Sequence, residues 1–149
     1  MHLDTSRLIL IVTGAHLHAE LLDRPVAYAL RQHLMDWLEQ AGETLNPLSP
    51  RVLVCSDVWY LNNDPLRNRP TISIGGPGVN ALTAFLADKL PSAFAIEDRL
   101  IVQADLDFQE TVACCWGADG GATAAAVDAF CERYLDAFMQ AAETCGKAP

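Results

Sequence analysis

Leu8-Ile9-Leu10-Ile11-Val12 is apolar at every position and is closed by Gly14. A strand with one wet face alternates apolar and polar residues, whereas a strand covered on both faces has no polar position to spare. The stretch therefore predicts a buried strand in a mostly parallel sheet with helices on both sides. Three more short runs fit the same role: Val52-Leu53-Val54-Cys55, Thr71 to Ile74, and Val112 to Trp116.

Helical patterns separate these runs. After a loop from Ala15 to Leu22, Asp23-Arg24-Pro25 reads as a helix start, with Asp23 as N-cap and proline in the first turn, where no amide hydrogen is missed. Val26, Leu30, Leu34, Trp37 and Ala41 then recur at helical spacing, and Gly42 supplies a C-terminal cap. A second helix carries Val79, Leu82, Phe85, Leu86 and Leu90 and stops at Pro91. A final one carries Val127, Phe130, Cys131, Tyr134, Leu135 and Phe138 as one wide stripe. Ser56 to Pro70 holds no clean period and reads as an irregular excursion with a helical turn. Phe94-Ala95-Ile96 and Leu100-Ile101-Val102 predict a hairpin, although Glu97-Asp98-Arg99 between them offers neither glycine nor asparagine.

The order of elements predicts a three-layer α/β sandwich with a mostly parallel sheet of about five strands. Its outline is Rossmann- or flavodoxin-like, with an antiparallel hairpin at one edge. Residues 1–143 are expected to form one domain, followed by a polar tail over 144–149.

Composition narrows the partners. The chain has 149 residues, 51% of them hydrophobic, enough for one core without disulfide or metal staples. Nineteen acids against ten bases give a net charge of −9, which repels nucleic acid and anionic membrane surfaces. The five cysteines, Cys55, Cys114, Cys115, Cys131 and Cys145, are odd in number and form no C-x-x-C. They read as reduced, buried thiols. Asp4 stands where an export signal wants positive charge, and no run approaches the ~20 apolar residues of a membrane span. The expected location is the cytoplasm.

In open parallel sheets, ligands bind beyond the carboxyl ends of the strands. The segments in that position are Gly14 to His18, Ser56-Asp57, Gly75-Gly76-Pro77-Gly78-Val79-Asn80, and Gly117-Ala118-Asp119-Gly120-Gly121 with Thr123. Gly75, Gly76, Gly78 and Asn80 either cradle a phosphate or carboxylate before a helix, or form a tight turn with Asn80 or a glycine as cap. Asp119 either meets a ligand or caps the helix that follows. No G-x-G-x-x-G and no G-x-x-x-x-G-K-[ST] is present. His16 and His18, two apart, splay in an extended segment, and H-E-x-x-H is absent, so no metal site is expected. Cys55 either packs in the core or, opposite His16 or His18, forms a thiolate nucleophile.

The pieces Ile74-Gly75-Gly76-Pro77-Gly78-Val79-Asn80-Ala81-Leu82 and Trp116 to Ala126 resemble paired motifs of archaeal surface-layer-related proteins. There a GGP-x-x-N turn opens one helix, and a later glycine, acid and threonine open another. The resemblance implies an α/β module and carries no catalytic residue with it.

The residues together point to binding of a small anionic molecule at the glycine-rich rim. Gly75, Gly76, Gly78 and Asn80 would cradle it, Asp57, His16 and His18 would orient it, and Asp119 with Thr123 would close the far side. Two alternatives remain. One is a scaffold whose homo-oligomer face is built from Trp59, Tyr60 and the Phe130–Phe138 helix. The other is an enzyme dependent on Cys55. No cofactor is indicated.

Overall fold

The computed structural model describes residues 5–105, 107 and 109–145. The expected α/β sandwich forms around six strands: β1 (Ile9–Thr13), β2 (Val52–Ser56), β3 (Thr71–Ile74), β4 (Ser92–Ile96), β5 (Leu100–Ala104) and β6 (Val112–Gly117). Their order across the sheet is β2-β1-β3-β6-β5-β4. The first four of that series run parallel, and β5 is antiparallel to both β6 and β4. The hairpin is therefore the edge feature the sequence predicts. At its turn Asp98 takes the positive φ (60°) that a glycine or asparagine would otherwise occupy.

All residues of β1 and β3 are buried, including the polar Thr13, Thr71 and Ser73, because helices or turns cover both faces of the central strands. Side chains alternate between two cores. On one face Ile9, Ile11, Ile72, Ile74, Val102 and Cys115 pack under three helices: α1 (Arg24–Gln40), α4 (Gly120–Arg133) and α5 (Leu135–Cys145). On the other, Leu8, Leu10, Val12 and Cys55 meet Tyr60, Leu66 and Leu82. These come from α2 (Asp57–Leu61), a 3-10 turn (Asp64–Leu66) and α3 (Ala81–Leu86), so this layer is thin.

Several expectations at element scale are corrected. The stretch before α1 is not a loop: helix begins at Leu17 and passes through a π-turn, Ala19–Asp23, straight into α1. The π-turn precedes Pro25, which has no amide hydrogen and crowds the carbonyl one turn back. Widening that turn lets the Arg24 amide reach Ala19 O and eases the entry of proline. Asp23, inside this helix, makes no capping hydrogen bond. The second helix is only six residues long, and Phe85, expected inside, is exposed with Lys89 Nζ 4.0 Å from its ring centroid.

The last stripe is two helices, broken at Tyr134. Phe130 and Phe138 fold onto each other edge to face, with centroids 5.6 Å apart and both rings fully buried. They cannot serve as an oligomer face, and neither can Tyr60, which is buried in the core on the opposite side of the sheet. Thr144 and Cys145 belong to α5 rather than to a tail, and 146–149 lie outside the described residues.

Candidate functional site

Parallel pairing of β2, β1, β3 and β6 brings the segments after these strands to one border of the sheet. The neighbours of β1 lie on opposite sides of it, and successive crossovers use opposite faces, which makes β1/β3 the switch point where such sheets open a crevice. At Gly14 an added Cβ would collide with Val79 O, so the β3–α3 turn rests directly on the chain leaving β1.

The border divides into two unlike halves. On the thin side, Asn80 is buried and wholly committed. Its Oδ1 accepts from the Leu82 and Thr83 amides (2.9 and 3.2 Å), and its Nδ2 donates to Val12 O and Ile74 O (3.1 and 2.8 Å). The residue caps α3 while tying the ends of β1 and β3 together. Asp57, also buried, accepts from the Val58 amide through Oδ1 and from the Ala81 amide through Oδ2. The carboxylate expected at this helix start is thus the protein's own, and neither Asn80 nor Asp57 is free to meet a ligand. Gly75 donates its amide to Cys115 O within the sheet. The capping alternative is the one that forms.

On the thick side a cleft of about 150 Å³ is lined by His18, Asp23, Gly76, Gly78, Val79, Gly117, Ala118, Asp119 and Thr123. Five of the expected residues meet there: His18, Gly76, Gly78, Asp119 and Thr123. His16 does not; it is exposed and its carbonyl accepts from the Glu20 amide. Asp119 caps α4 by accepting from the Ala122 amide (2.8 Å), and Thr123 Oγ1 accepts from the Gly117 amide (3.1 Å).

Asp23 is the residue sequence reasoning misread. It is 2% exposed, and its Oδ2 has no hydrogen-bond partner. Gly75 makes room for it: φ there is +105°, and a Cβ would stand 2.6 Å from Asp23 Oδ2. Burial raises the Asp23 pKa above the usual carboxylate range, against a smaller opposing pull from His18. A second partnerless buried atom, Thr13 Oγ1, ends β1 on the same face, two residues past Ile11. A signal was present. Ala19, Asp23, Ala27, Leu30, Leu34 and Leu38 are all buried at helical spacing, so Asp23 is an acid set in an apolar stripe.

Burial pushes the Cys55 thiol up to about 12, with Arg24 opposing weakly and Asp57 adding to the rise. Cys114 is held at about 12 and Cys131 at about 11 by the same cause. A thiol so placed is protonated at neutral pH and is a poor nucleophile. Among the described residues no three His, Cys, Asp or Glu side chains converge as a metal site, and no helix is long and apolar enough to cross a membrane. No protein-family model matches the chain, and no curated protein matches it as a relative.

Proposed function

We propose that this chain is a small-molecule-binding module whose site is the cleft between the ends of β1, β3 and β6. The observation that carries the reading is Asp23. A buried carboxylate oxygen without a partner is costly in a folded protein and is found where a function retains it. Its position at the switch point of an open α/β sheet, beside backbone-rich glycine turns, supports the same reading. The volume suits a compact ligand, since drug-sized molecules occupy roughly 300–1,000 Å³.

The motif resemblance to surface-layer-related proteins adds no activity to this reading. Thermal unfolding against a panel of small metabolites tests the reading. A ligand at 100 times its Kd adds about 2.7 kcal/mol of stability. An added Cβ at Gly78 meets nothing within 4 Å, so Gly78→Phe is expected to fold and to fill the cleft mouth. The expected result is a ligand-induced rise in Tm that this variant abolishes. If no panel member raises Tm, or the rise survives Gly78→Phe, the cleft is not the site.

A further inference from the structure

We infer that the cleft takes a ligand by a positively charged amine, with Asp23 as its counter-ion. The inference rests on the binding reading above and specifies the ligand's chemistry.

The expectation from the glycine turns was an anion, yet the two helix starts that would attract one are already capped from within. The start of α3 is capped twice, by Asn80 and by Asp57. The start of α4 is capped by Asp119, which also sets a negative charge against that helix dipole. No lysine or arginine lines the cleft; its ionisable side chains are Asp23, Asp119 and His18. Arg24, next in sequence to Asp23, is engaged elsewhere: it pairs with Glu20 at 3.5 Å and lies 5.7 Å from the Tyr28 ring centroid.

An anion entering here would meet two acidic side chains, Asp23 and Asp119, whose ionised forms repel it. An ammonium group would supply what Asp23 lacks, a donor and an opposite charge together. The hydroxyl of Thr13, partnerless on the same face, offers a further acceptor at that end of the sheet. Burial raises the pKa of Asp23, so a bound cation would also favour its ionised form.

The test is a pair of amide-shift NMR titrations on the intact protein, with n-propylammonium chloride and with sodium acetate at matched ionic strength. Propylammonium is expected to give saturable shifts at the Gly76, Gly78 and Ala118 amides, and acetate none. Asp23→Asn, which keeps shape and removes charge, is expected to weaken the ammonium at least tenfold, while Glu20→Gln, outside the cleft, leaves it unchanged. Saturation by acetate alone would overturn the cation assignment and leave the rim as a binding site. Silence from both probes would overturn the cation assignment too, and the metabolite panel would then decide separately whether the cleft binds anything. Ammonium binding untouched by Asp23→Asn would also refute the role given to Asp23.

Discussion

Asp23 and Asn80 are both buried polar residues at the same end of the sheet, and they are opposites energetically. Asn80 makes four hydrogen bonds, so Asn80→Ala removes a helix cap and strands the partners it served. We expect a loss of about 2–4 kcal/mol in urea unfolding, combining a cap with unsatisfied groups. Asn80→Asp should not rescue it, because a carboxylate cannot donate to Val12 O and Ile74 O. Asp23 has the reverse sign. Its pKa is raised in the folded protein, so folding favours its neutral form and the charged form weakens the fold. Asp23→Asn should therefore stabilise at pH 7, by an amount on the order of 1–3 kcal/mol. That gain should fade as pH falls through the raised folded value and vanish below the ordinary carboxylate range, as Tm measured across pH would show. A constant gain at every pH would contradict the assignment.

At the scale of elements, strand positions were legible because short apolar or β-branched runs of four to six residues, each bounded by a turn signal, are too short for a buried helix. Thr71–Ile74 was bounded correctly, and the other strands to within two residues at either end. Helix faces were less legible. Reading Val26, Leu30, Leu34, Trp37 and Ala41 as the buried stripe places the axis slightly askew from the true one, Ala27, Leu30, Leu34 and Leu38. Asp23 was hidden for another reason: Asp23-Arg24-Pro25 reads as a helix start, which puts Asp23 at the cap, whereas the helix already runs through it from Ala19. A π-turn defeats any fixed period, and Pro25 drew attention to the wrong start. The hairpin makes a separate prediction. Asp98 holds a backbone region that L-residues occupy at a cost of roughly 1–2 kcal/mol, which glycine does not incur. After the entropy glycine loses on folding, Asp98→Gly should raise stability by up to about 1 kcal/mol in thermal unfolding.

Across the whole molecule, the two cores are unequal, and stability should follow that inequality. Phe138 is fully buried against Phe130 in the thick layer, so Phe138→Ala should cost about 3–5 kcal/mol in chemical denaturation. Leu86, half-buried at the edge of the thin layer, should cost well under that when cut to alanine. Fold class came through in the sequence because it depends on the order of periodic segments. The cleft came through only in part: five lining residues were named from their place after strands, but which loops lean toward the thick layer depends on the sheet's face, and no local pattern carries that.

The strand order has one more consequence. β6 sits between β3 and β5, although β3, β4 and β5 all precede it in the chain. During synthesis the nascent polypeptide can pair β1, β2 and β3 early, and the hairpin can close by itself. The two halves share no strand-to-strand bonds until residues 112–117 leave the ribosome and slot between them. Joining the sheet is thus a late, long-range event, and chains that lack residues 112–117 should hold two separate sub-sheets with unpaired edges at β3 and β5, prone to aggregate.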